Sequence, residues 1–203
     1  MKRPALSLFS LVFTFFAANV YAHTPSLYKV YSNGDLSVAT IGIRAGAQFQ
    51  HLSGSTVWNE TYNPGPLVGL FLSVHKKMFG LRVEGTVRGV EYKNNTFGKS
   101  VNVINFDVPL LFEFRPIEYV KIHVGPQIST FPRADENNTQ DGRRYFKPFD
   151  ASFVFGAEGI LPLNFIAGAR FVKGFWNIND SGKYPGSWTT TSAQFYIGYC
   201  LAK

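Results

Sequence analysis

The sequence predicts an all-β fold: an eight-stranded antiparallel up-and-down transmembrane β-barrel preceded by a cleaved signal peptide. Three observations predict it. Apolar residues alternate with polar ones at period two in eight separate segments. The connections between those segments alternate between tight turns and long polar loops. Beyond the leader, no apolar run approaches the roughly 18 residues that a spanning helix needs. Composition agrees. Charged residues are 16 % of the 203-residue chain, against a usual share of roughly 25 %. Aromatics are also 16 %, with 20 Phe, which excludes disorder and coiled coil. One Cys excludes a disulfide scaffold and a cysteine-rich metal site.

The leader comes first. Lys2 and Arg3 precede the apolar run from Ala5 to Ala18, and Val20-Tyr21-Ala22 is a small-x-small cleavage site. Residues 1–22 therefore read as a secretory signal peptide. Residues 23–37 read as a short periplasmic segment and 38–203 as the barrel domain. Without Lys2 and Arg3 the chain keeps 18 basic and 13 acidic residues. That mild, scattered excess gives no basic stripe, and no nucleic acid partner is expected.

The strands follow in order. Residues 38–50 place Ile41, Ile43, Ala45, Ala47 and Phe49 opposite Arg44 and Gln48. Residues 66–76 place Val68, Leu70, Leu72 and Val74 opposite Ser73 and His75. Residues 79–93 place Leu81, Val83 and Val87 opposite Arg82, Glu84 and Arg88. The clearest segment is 102–115. Ile104, Phe106, Val108, Leu110, Phe112 and Phe114 share one face, and Asn105, Asp107 and Glu113 lie on the other. Segment 119–131 sets Ile122, Val124 and Ile128 against His123 and Gln127, and segment 148–161 sets Phe149, Phe153 and Phe155 against Asp150 and Glu158. Segment 163–176 sets Phe165 and Phe171 against Arg170, and segment 190–201 sets Phe195, Ile197 and Tyr199 against Gln194 and Tyr196.

Tight turns fall at Lys77-Met78, Pro116-Ile117 and Leu161-Pro162; long loops fall at about 51–65, 94–99, 132–147 and 177–189. An even strand number puts both chain ends on the short-turn, periplasmic side. In lipid an open sheet edge is prohibitively costly, so the sheet must close. Eight strands leave a lumen that side chains fill. Its predicted polar network is Arg44, Arg82, Glu84, Arg88, Asp107, Glu113, Asp150, Glu158 and Arg170, an ionic plug because buried charges must be paired or hydrated. Trp58, Tyr62, Tyr145, Trp176, Tyr184 and Trp188 fall near the loop ends and predict an aromatic girdle at the outer interface; a sugar- or partner-binding platform is the rival reading.

The residues resemble the PorT-like outer-membrane β-barrel family, the porin-family proteins of Bacteroidetes-type bacteria. The resemblance covers about residues 40–201. It rests on Gly42-Ile43-Arg44-Ala45-Gly46, Phe106-Asp107-Val108-Pro109-Leu110-Leu111, Gly125-Pro126-Gln127, Phe149-Asp150, Phe155-Gly156-Ala157 and Asn177-Ile178-Asn179-Asp180 in that order. It implies residence in a bacterial outer membrane, in contact with its lipid and with the barrel-assembly machinery, and no defined catalytic residues. Some members serve secretion or gliding machinery. Tyr199-Cys200-Leu201-Ala202-Lys203 departs from the terminal aromatic on which many such barrels close.

His51, Ser53 and Ser55 with Glu60 or Asp180 contain the types for a nucleophile, a base and an orienting acid, without a spacing that supports it. His75 and His123 read as satisfied interior histidines. Asp135 to Gly142 is oxygen-rich but does not match a calcium loop. No cofactor, metal site or catalysis is expected. The expected function is a structural or accessory outer-membrane barrel, with a role in secretion or surface assembly and a protein partner at loops 51–65, 132–147 and 177–189. The alternatives are a small passive pore and, less favoured, a soluble lipocalin-like carrier.

Overall fold

A computed structural model describes residues 38–54, 62–94, 99–136, 147–180 and 186–202. The signal peptide and the 23–37 segment lie outside the described residues. Eight strands form one closed barrel in sequence order. They are β1 (Val38–Ser53), β2 (Asn63–Lys76), β3 (Phe79–Asn94), β4 (Lys99–Ile117), β5 (Val120–Glu136), β6 (Phe149–Ile160), β7 (Phe165–Gly174) and β8 (Thr189–Ala202). Every neighbouring pair is antiparallel, and β8 closes onto β1 through Arg44 opposite Gly198 and Gln48 opposite Gln194. Closure leaves no unpaired edge to face lipid.

The period-two faces sort as the physics of a lipid-facing barrel requires. Leu70, Phe155 and Ile197 are 63 %, 58 % and 61 % exposed on the outside, while Arg82, Glu113 and His123 are fully buried inside. A water-soluble domain shows the reverse arrangement. The apolar outer belt and polar interior set this chain apart from a lipocalin-like carrier, whose interior is apolar.

Prolines shape the ladders. Strand β2 begins at Asn63, three residues before the sequence predicts, and runs through Pro64 and Pro66. Both face outward, and the β2–β3 ladder stops at Leu67, where the proline-bearing stretch begins. Pro lacks the N–H that a ladder needs. Two interior breaks have the same cause. The β3–β4 ladder lapses at Glu84 and Gly85, facing Val108 and Pro109, and the β4–β5 ladder lapses at Leu110 and Leu111, facing Gly125 and Pro126.

The short-turn end carries its own aromatics. Phe79 stacks on Phe114 at 5.4 Å between ring centres and lies 5.6 Å from Phe112, and Phe165 meets Tyr199 edge-on at 5.2 Å. These rings lie on the outer surface near the periplasmic turns, where an inner interfacial belt belongs.

Candidate functional site: the filled lumen

The lumen contains two polar layers. The inner layer centres on Arg82, from β3. Its guanidinium reaches Glu158 on β6 through two hydrogen bonds of 2.8 and 3.0 Å, and its Nε pairs with Glu113 at 2.7 Å. Its carbon also lies 4.4 Å above the Phe71 ring, a cation–π contact that suits a desolvated guanidinium. Glu84 is the second hub. Arg170 donates to both of its oxygens at 2.6 Å, and Arg44 pairs with it at 2.8 Å.

Neutral groups complete the layer. Tyr196 donates to Glu158 at 3.1 Å and its ring lies 4.9 Å beneath both Arg44 and Arg170. Arg170 Nε donates to His123 Nε2 at 2.7 Å. That bond requires an unprotonated acceptor nitrogen, so His123 is neutral in this arrangement. His75 contacts Glu113 at 2.7 Å and Ser73 at 3.0 Å. Both histidines are interior hydrogen-bonding partners in this arrangement. Lys121 lies 3.7 Å from Glu158 and is buried. Sequence reasoning missed it, although its parity with His123 on one strand was a usable signal.

The outer layer centres on Arg88. It binds Asp107 through two nitrogens, one contact measuring 2.8 Å, and its NH1 donates to Gln48 and Gln50 at 2.7 and 2.8 Å. Gln50 in turn donates to the Tyr92 hydroxyl. Asp150 accepts from Thr190 Oγ1 at 2.7 Å. All nine residues of the predicted polar network are buried inside the barrel, in two layers. Leu111, Val154 and Val172 pack together inside the barrel as well.

Glycines make room for the long side chains. A Cβ on Gly156 would lie 2.5 Å from His123 Nε2 and 2.6 Å from Arg170 Cγ. One on Gly168 would lie 2.5 Å from the Tyr196 ring. Both distances are far inside contact, so the arginines and Tyr196 occupy space that only glycine vacates.

Above the outer layer an apolar cluster occupies the mouth. Trp188 and Ile178 are fully buried and pack with Leu52, Val90, Tyr92, Val103 and Phe131. The segment after β7 turns inward to deliver them. Ile178 N donates to Trp188 O at 3.0 Å, Lys147 N donates to Ile178 O at 2.8 Å, and the Asn177 side chain accepts from the Asn179 and Trp188 amides.

This corrects the girdle assignment of Trp188, which is an interior stopper. The apolar character that suggested a membrane interface instead serves a cluster within the mouth. Trp176 and Tyr62 are about half exposed at the outer end. Trp58, Tyr145 and Tyr184 lie outside the described residues. His51 lies 5.3 Å from Tyr62 between ring centres with the planes tilted by 36°, Ser53 pairs with Thr189 on β8, and Asp180 is exposed. Ser55 and Glu60, the other members of that reading, lie outside the described residues, as does most of the oxygen-rich stretch up to Gly142.

Comparison with known proteins gives fold alone. No family model matches the chain, and no curated protein sequence does. The chain is similar in structure to Neisserial surface protein A, with 14 % identity, a TM-score of 0.55, and 80 % of this chain and 98 % of that one covered. It is also similar to Ail, the attachment invasion locus protein of Yersinia pestis, with 12 % identity, a TM-score of 0.51, and 80 % and 99 % covered. The fold is that of the small outer-membrane barrels. Closed strands, an apolar outer belt and this likeness place the protein in a bacterial outer membrane.

Proposed function

We propose that the protein is a non-conducting outer-membrane barrel with a structural or accessory role in a secretion or surface assembly. The observation that carries this reading is the filled lumen. Arg82 ties β3 to β6 across the interior, and Trp188 with Ile178 stops the outer mouth. A barrel built to pass solutes has no use for both. The accessory role draws on the resemblance to PorT-like barrels, some of which serve secretion or gliding. The barrel-assembly machinery inserts the chain, and the protein partner engages the loops at 51–65, 132–147 and 177–189.

The test is a deletion strain of the native host. Loss of secreted or surface-displayed proteins, restored by the wild-type gene, supports the accessory role. Unchanged secretion and surface proteins with altered uptake of small solutes would favour the alternative, a small passive pore.

A further inference from the structure

The two lumen layers carry opposite excess charge. The inner layer sets Arg44, Arg82, Arg170 and Lys121 against Glu84, Glu113 and Glu158, while the outer layer sets Arg88 alone against Asp107 and Asp150. Arg88 directs two nitrogens at Asp107 and the third at the two glutamines. Asp150 is left with neutral hydrogen-bonding partners, the Thr190 hydroxyl and the Ala151 backbone amide, and with Arg88 only at longer range. Its Oδ2 accepts from Thr190, and its Oδ1 has no hydrogen-bond partner although the residue is only 2 % exposed.

A second group nearby is unsatisfied too. Asn105 is fully buried, and neither its amide oxygen nor its amide nitrogen has a partner. It lies two residues from Asp107 on the inward face of β4. Ser129 on β5 is the register partner of both Asp107 and Asp150, so these three residues form one row across the wall, with Asn105 a step nearer the mouth. The stopper of Trp188 and Ile178 lies at that mouth. An enclosed carboxylate oxygen and an enclosed amide are destabilising unless something meets them.

We propose that the outer layer holds an alkali cation, sodium by its chemistry, bound to Asp150 Oδ1 and linked to Asn105 directly or through water. Carboxylate, amide and hydroxyl oxygens are hard donors and select hard cations. The outer layer has one negative charge in excess, which a monovalent ion balances. Among the described residues no three His, Cys, Asp or Glu side chains gather as a divalent or transition metal would require.

The experiment compares thermal unfolding of the detergent-folded barrel in sodium chloride and in choline chloride at equal ionic strength. Sodium should raise the midpoint saturably, by about 3–6 °C at a tenfold excess over its dissociation constant. Asp150→Asn should abolish the rise. Asn105→Ala, a second variant should the first not fold, should shift the half-saturating sodium concentration about tenfold upward. Equal midpoints of the wild type in the two salts would overturn the proposal and leave Asp150 carrying a proton. A sodium response that persists in Asp150→Asn would overturn it by moving the ion elsewhere.

Discussion

Arg82 and Glu158, 76 residues apart in sequence, face each other across the lumen through two hydrogen bonds of 2.8 and 3.0 Å. The pair is fully buried, so solvent does not screen it. Removing one partner takes from the other its two-bond match in a low-dielectric interior. Glu158→Gln and Arg82→Ala should each destabilise the barrel by roughly 3–5 kcal/mol. Urea unfolding in lipid vesicles measures this. A double variant replacing both with Leu and Met should recover only part of the loss, because the pair's own charges are gone while Glu113 and Lys121 each lose a partner.

Glycine at 156 is demanded by space. The added methyl of Gly156→Ala would meet His123, Arg170 and the Ala169 carbonyl, all within 2.7 Å. Overpacking of this kind costs about 1–3 kcal/mol. Gly85→Ala points outward with its nearest neighbours at 3.8 and 3.9 Å and should leave the unfolding midpoint nearly unchanged. Equal effects from the two would contradict the lumen packing.

Trp188 and Trp176 should report opposite environments. Trp188 is enclosed in the mouth cluster and Trp176 is 53 % exposed. Single-tryptophan variants in vesicles containing brominated lipid should show strong quenching for Trp176 and little for Trp188. Trp188→Ala should also destabilise the barrel by about 3–5 kcal/mol through the vacated volume.

The outer belt should reject charge according to depth. Leu70 is 63 % exposed midway along β2. Leu70→Arg should cost about 2–4 kcal/mol in a bilayer, as charge does near the midplane of such barrels. Met78→Arg, at a periplasmic turn, should cost far less. Vesicle refolding yields and urea midpoints distinguish the two positions.

Legibility in the sequence tracked periodicity. In segment 102–115 one face is wholly apolar while the other mixes Asn105, Asp107 and Glu113 with Val103, Pro109 and Leu111, so the two faces could be told apart from residues alone, and membrane closure rather than the pattern says which is inside. Arg44, Arg82 and Arg170 were placed inside by the same parity. Pairing was not legible. Nothing in the chain says that Arg82 meets Glu158 rather than Asp107, because register depends on the shear of the closed sheet. The inward course of residues 175–180 was also hidden. It has no period, and it is fixed by Asn177 and by contacts to Leu52 and Val90 made only once the barrel has closed. The start of β2 was missed because Asn63 to Gly65, with Pro64 among them, read as a loop, whereas a strand tolerates proline where a ladder ends.

The most direct test of the filled lumen is single-channel recording of the wild-type protein in a planar bilayer. Long traces without discrete conductance steps are expected, because the ionic layers and the Trp188 stopper leave no continuous aqueous path. Reproducible ohmic steps from the folded wild type would contradict the plugged barrel and restore the passive pore.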